Sequence, residues 1–532
     1  MLRLFIILFF VVFSYLFGYA SLSPDQLLAN RNDVYYVSKD VNLNGDTLVF
    51  HSGNKLRFKG GTIYNGVVVF DSTKIENRPK FTNCSYHGNI IVKKLDDRDF
   101  TSSDDLGTLR FLLRNAINLG VRCEIHRDYI INMKDVPSSV GILSFRDIDS
   151  GADIHFNHHT ISNTYPFPPH QIKPVLRFLN VKNVTIRDCI FHDTDENNTH
   201  HFEESTGCSF LQCLGDCERI NLLNCSQENG DCILRSGVYT HDEKHPEYTP
   251  TRGLSNSILK VKSQNVGYGL ALYCADNLKI DIDVDSPHRG FYCTGVTNSA
   301  IKYKGNNPKE TKTHILIKDA VCRNVDENGT EILDMRGCGN LSIKANVPVL
   351  NPNEQILVFS TYGSGLKENA DFRFRKAKCY HHDIDFTARI DKYPQDGFYI
   401  LCNICSDSGA LVENDMIGCK VMGLRIHDIR NIGGHATRYM CCVASHTDVD
   451  MTIENCEAVN EGKDKRVGKL DFQVFGTSKG RIRLKNSNCG NVLVRKKTSG
   501  DFYIERKGKK YFDGQLSYIN DESKRDLVKI IQ

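Results

Sequence analysis

The strongest constraint on this chain's fold is a short unit that keeps returning, a polar turn residue followed by alternating apolar and polar positions. Asn183-Val184-Thr185-Ile186-Arg187-Asp188-Cys189 and Asp450-Met451-Thr452-Ile453-Glu454-Asn455-Cys456 share this shape. It recurs at Arg219-Ile220-Asn221-Leu222-Leu223-Asn224-Cys225, at Asn277-Leu278-Lys279-Ile280 and at Asn340-Leu341-Ser342-Ile343. Alternation with period two is the pattern of a strand with one buried face. A second, glycine-led strand falls between these units. Gly207-Cys208-Ser209-Phe210-Leu211 is followed by Gly230-Asp231-Cys232-Ile233-Leu234, Gly267-Tyr268-Gly269-Leu270-Ala271 and Gly329-Thr330-Glu331-Ile332-Leu333.

Steps of about 20 to 40 residues suit a coil of two or three strands plus loops. No single unit can bury its apolar face, but stacked units share one continuous core. Asn-Gly hairpin signals between consecutive strands are few, which favours a solenoid over an antiparallel sandwich. The expected fold is all-β, a right-handed parallel β-helix over residues 101–506. Residues 21–100, with strand-turn runs such as Lys59-Gly60-Gly61-Thr62-Ile63, read as a β-layer or initial coils. The polar stretch 507–532 reads as a carboxy-terminal cap or tail.

One helix stands out. Leu106, Leu109, Leu112, Leu113, Ala116 and Ile117 are spaced for one helical face. Ser102 or Ser103 is the expected cap, Asp104 and Asp105 suit the positive end, and Gly120 is the stop. At the start of the chain, Arg3 and the apolar run Leu4 to Phe17 precede Gly18-Tyr19-Ala20. That layout is a secretory signal peptide over residues 1–20, too short in its apolar core to span a bilayer comfortably. An extracytoplasmic protein with no membrane span after cleavage is therefore expected.

Twenty cysteines in an exported chain suggest disulfides, yet they are scattered singly and many lie inside strand-like runs. Buried free thiols acting as small hydrophobes account for that better. The 67 basic and 64 acidic residues nearly balance, which argues against a nucleic-acid partner. It leaves room for an acidic polysaccharide held at a local basic face.

The Asp-Asp-led helix resembles the helix that opens many pectate-lyase-like β-helices. The run Asn224-Cys225-Ser226-Gln227-Glu228-Asn229-Gly230-Asp231-Cys232-Ile233 resembles polygalacturonase-like glycoside hydrolases, whose run is Asn-Cys followed by Gly-Asp-Asp-Cys-Ile. Gly267-Tyr268-Gly269-Leu270 resembles that family's Gly-His-Gly-Leu. The resemblance implies polysaccharide as partner and inverting hydrolysis, which needs one carboxylic acid and one carboxylate base. This chain keeps a single aspartate, Asp231, has Tyr268 at the histidine position, and shows Gly290-Phe291-Tyr292 where the family carries a substrate clamp.

Aligning the coils by eye puts Asp231, Tyr268 and Arg289 in one column, and Arg235 and Asp334 in another. Asp231, Arg235 and Arg289 are the candidate catalytic residues, since a carboxylate and guanidinium groups on one face suit proton transfer or sugar binding. Tyr268, Asp334, and His241 and His245 of the loop 238–253 are the candidate substrate-binding residues. Asp281, Asp283 and Asp285 alternate on one strand and leave calcium possible. No other cofactor and no dedicated metal site is expected: adjacent histidines such as His158-His159 point to opposite faces of a strand. Glycoside hydrolase, polysaccharide lyase and non-catalytic glycan-binding or adhesion protein remain the three functional readings.

Overall fold

The structure is a computed structural model. It describes residues 34–134, 136, 141–197, 206–237, 253–285 and 288–306, and from 313 to 531 mainly strands with short flanking stretches. Within it the chain is a parallel β-helix: strand pairs run parallel coil after coil, with the single antiparallel pair among the described strands being Ala320–Val325 with Glu331–Arg336. The signal-peptide reading of residues 1–20 lies outside the described residues. No helix among those described is long and apolar enough to cross a membrane.

Packing divides the chain into two units. The first holds residues up to Met133 with Asp149–Asn163 and Val184–Cys189; the second holds Lys134–Ile148, Thr164–Asn183 and the rest from Ile190.

In the first unit the region expected to be a β-layer or early coils is coiled. Val34–Val37 pairs with Lys55–Phe58, and Ile63–Glu76 pairs in turn with Val41–Asn42, Thr47–Phe50 and Lys55–Phe58. Phe81–Ile91 stacks on Ile63–Glu76. The interior is aromatic, with Phe50, Phe70, Phe81 and Phe100 fully buried and Phe81 stacked on Phe100 at 5.4 Å.

Helix α1 (Asp105–Leu119) buries Leu109, Leu112, Leu113, Ala116 and Ile117 as the spacing required. Its cap is Asp104, whose side chain accepts from the Gly107 N–H at 2.8 Å; Ser102 instead accepts from the Asp104 N–H. The expected serine cap is thus one step removed, because the shorter reach to the first turn belongs to the aspartate. Gly120 closes the helix at φ 65°, a conformation that L side chains resist.

The second unit is two long parallel sheets. One passes through Gly207–Leu214, Cys232–Ser236, Tyr268–Tyr273, Arg289–Thr294, Thr313–Lys318 and Gln355–Ser360. The other passes through Cys217–Glu228, Ile258–Gln264, Lys279–Asp285, Ala300–Asn306 and Leu341–Val347. Coils here are regular, with Asn256 and Asn277 21 residues apart and joined side chain to side chain at 2.6 Å. Both sit at positive φ, which asparagine tolerates better than most residues, and so the polar turn residue seen in the sequence marks each corner.

Inward positions form apolar stacks such as Leu270, Phe291 and Ile315, each essentially inaccessible. Each such side chain contributes about 1.5–3 kcal/mol on burial. Ten described cysteines, among them Cys208, Cys213, Cys225 and Cys232, are free and buried. They pack as hydrophobes, as the scattered spacing suggested. The stretch expected as a polar cap carries strands: Leu516–Ile519 pairs with Cys489–Arg495, and Val528–Ile531 with Phe502–Lys507.

Candidate functional site

The Gly-Asp-Cys-Ile run begins where the chain enters the strand Cys232–Ser236. Gly230 has φ 79°, and a Cβ there would run into the Asp193 carboxylate and the Cys208 carbonyl. Only glycine fits, so the turn delivers Asp231 into the interior. Asp231 is fully buried. Its carboxylate accepts from Ser209 Oγ at 2.5 Å, from the Cys232 thiol at 3.3 Å, and from Arg235 through Nη2 at 2.7 Å and Nε at 3.2 Å. A charge this far from water is stable only with such company.

Arg235 keeps a fifth of its side-chain surface exposed. Burial works against its charge, but the attraction of Asp231 outweighs that and raises its pKa well above the ordinary value. Burial, helped by the Asp231 charge, likewise pushes the Cys232 thiol up. The Arg235 guanidinium lies 5.4 Å from the Tyr268 ring centre, and Arg289 lies 5.7 Å from the same ring. Arg289 Nη1 donates to the Tyr268 hydroxyl at 3.5 Å. Tyr268 meets Tyr292 edge to face at 5.9 Å, and Tyr292 meets Tyr273 at 5.4 Å. Two cations therefore flank one ring of a three-tyrosine cluster.

The two cations differ in one respect. Arg235 is neutralised by Asp231, whereas Arg289 has no carboxylate partner among the described residues and is half-buried. Polar groups behind this face are satisfied internally. Gln227 donates to the carbonyls of Cys208 and Asn229, and Asp193, also fully buried, accepts from the Cys208 N–H at 2.7 Å.

Register decides which expected groupings hold. Tyr268 and Arg289 are direct partners, as expected. Asp231 stands one residue outside their column: Ser209 pairs with Cys232, and the Asp231 backbone bonds to Cys208 and Tyr268. Arg235 is aligned with Gln212 and Ala271. Asp334 does not share that column. It lies on Glu331–Arg336, opposite Cys322 and beside Arg375, in a separate three-stranded sheet. The glycine-led pattern at Gly329 looked like another coil strand, but the antiparallel pair interrupts the repeat there. His241 and His245 lie outside the described residues.

Ser209, Tyr273, Tyr292 and Asp193 are the members sequence reading missed. Ser209 was visible in the aligned Gly-Cys-Ser run, and Tyr292 in the Gly-Phe-Tyr run. Asp193 carried no signal, because only folding brings it beside Cys208.

The aspartate row that left calcium possible has a different setting. Asp281 sits in register between Lys260 and Lys302, and Asp283 between Lys262 and Lys304. Lys304 Nζ is 3.5 Å from Asp283. Lysines on both sides make the row a charge ladder and a poor attractor of a divalent cation. No cluster of three or more His, Cys, Asp or Glu suited to a metal occurs among the described residues.

No family model and no curated protein matches this sequence. Among solved structures, the catalytic domain of a family 87 α-1,3-glucanase in complex with tetrasaccharides is similar at 11% identity and a TM-score of 0.34, covering 84% of this chain and 67% of that one. A second structure of such a domain, in complex with nigerose, gives 10% identity and a TM-score of 0.27 over the same shares.

Proposed function

We propose that this chain is an exported glycan-binding protein that holds an acidic polysaccharide at Arg289 and the adjoining tyrosines. The observation that carries the reading is the half-buried guanidinium of Arg289, held against Tyr268 with no carboxylate to neutralise it among the described residues. A desolvated cation of this kind favours a carboxylate or sulfate in a paired geometry. The tyrosine rings beside it supply apolar surface with a polar edge, the combination a sugar ring stacks on in a chain that has no tryptophan.

The surroundings of Asp231 support binding over hydrolysis. A general acid or base must reach the reacting atom, directly or through one water. Asp231 is inaccessible and already engaged by Ser209, Cys232 and Arg235. Its role in this reading is to position Arg235 against Tyr268. The leader-like first twenty residues support export, which would bring the chain to polysaccharide outside the cytoplasm.

The test is retention of the protein on immobilised polygalacturonate, alginate and neutral glucan, with product analysis in parallel. The wild type should be retained by an acidic polymer in a salt-dependent way and not by the glucan. Arg289→Ala should weaken retention by about tenfold or more, the scale of one charge-assisted hydrogen bond, with an unchanged melting temperature. Equal retention of both proteins would remove Arg289 from the site. New reducing ends would mark a hydrolase, and ultraviolet-absorbing ends a lyase; either overturns the non-catalytic reading.

A further inference from the structure

In the first unit, an imidazole spans three successive coils. The strands Lys94–Asp96, Arg122–Glu124, Asp153–His155 and Lys182–Arg187 stack in register, with Asp96, Glu124, His155 and Arg187 in one column. His155 is about a quarter exposed, and each of its ring nitrogens faces a carboxylate. Nε2 lies 2.7 Å from Asp188 Oδ2, on the coil after it. Nδ1 lies 3.5 Å from Glu124 Oε2, on the coil before it.

The chemistry of imidazole makes this arrangement depend on a proton. Both nitrogens donate only in the imidazolium form; a neutral ring donates from one and turns a lone pair outward from the other. With Asp188 at the shorter distance, the neutral ring would keep that bond and set its lone pair against the Glu124 carboxylate. Glu124 has other donors, Arg122 Nε at 2.5 Å and Asn157 Nδ2 at 3.0 Å, with Lys94 4.0 Å away. Those groups hold the carboxylate ionised: burial works against the charge, but the bonds from Asn157 and Arg122 outweigh it and lower the Glu124 pKa. The remaining charges on the packed strands are Asp96 and Arg187 in the same column and Asp153, which pairs with Arg187 at 2.7 Å.

We propose that His155 is a pH-sensitive latch that ties the coils of Glu124 and Asp188 together when protonated and releases one of them when neutral. The sign follows from the charged form being the one that binds. The contribution is complete on the acid side of imidazole titration, ordinarily near 6.5, and fades as pH rises through it. Carboxylate titration lies several units lower and leaves this window undisturbed.

The experiment measures amide exchange at Ile154 and Phe156, with thermal melting, on the full chain at pH 5.5 and pH 8.0. After correction for intrinsic base catalysis, exchange at these amides in the wild type should quicken by about fivefold at the higher pH, the scale of half a pKa unit or more of differential interaction. His155→Gln should show the looser, pH-independent behaviour at both values. His155→Lys, which keeps its charge throughout, should stay protected at both. The same pH response in wild type and His155→Gln would overturn the latch, as would a pH response surviving in His155→Lys.

Discussion

Two carboxylate settings in the second unit, Asp231 and the row Asp281 to Asp285, show how position decides what the same side chain does. Asp231 has no exposed surface and is clasped by a hydroxyl, a thiol and a guanidinium. Asp283 keeps a third of its side chain exposed and meets a lysine at 3.5 Å across a coil boundary. The first is a fixed part of the interior that organises a face of arginine and tyrosine. The second is a solvated rung in a ladder of alternating sign. Sequence alone presents both as aspartates on strands.

Asp231→Ala is the hardest test of that contrast. It strands Arg235 partly buried without its counter-charge, and should cost about 3 kcal/mol or more in urea unfolding. Replacing Arg235 by Met in the same chain should recover much of the loss. A single variant that unfolds like the wild type would mean that the clasp is not buried in solution.

Glu124 of the first unit stands between the two extremes, 7% exposed on its side chain with a lowered pKa. A carboxylate whose pKa is lowered by folding contributes stability that is present above its unfolded value, about 4.3, and is lost as pH falls through the folded value. The wild type should therefore lose more stability than Glu124→Gln between pH 5 and pH 3. Parallel acid-unfolding curves would show that Arg122 and Asn157 do not hold this charge. The smallest effect belongs to the ladder. Asp283→Asn should change stability by less than about 0.5 kcal/mol, and less still in high salt, because one exposed pair is worth little. A larger, salt-insensitive loss would place Asp283 in a bound setting after all.

Much of the fold could be read in advance, for a physical reason that particular residues display. The units at Cys225, Ile280, Ile343 and Met451 all lie on one sheet of the second unit, because alternation commits a strand's apolar face inward whatever its neighbours are. Helix α1 was legible for the same local reason, down to Gly120. Asp334 shows the limit. Its glycine-led strand matches the repeat, yet it joins an antiparallel pair and leaves the sheet of Arg235. Nothing local distinguishes a coil strand from an inserted one when both alternate.

Local pattern, then, determined that this chain would be stacked parallel strands with asparagine corners, a cysteine-lined interior and one capped helix, since those features depend on neighbours a few residues away. Only the tertiary structure decided that Asp231 is buried against Ser209 and Arg235, that Arg289 lacks a described counter-charge, and that His155 faces two carboxylates. Those partners are 21 to 33 residues or more apart along the chain, except for Arg235. Their meeting depends on coil register and on what each face is packed against, and a sequence records neither.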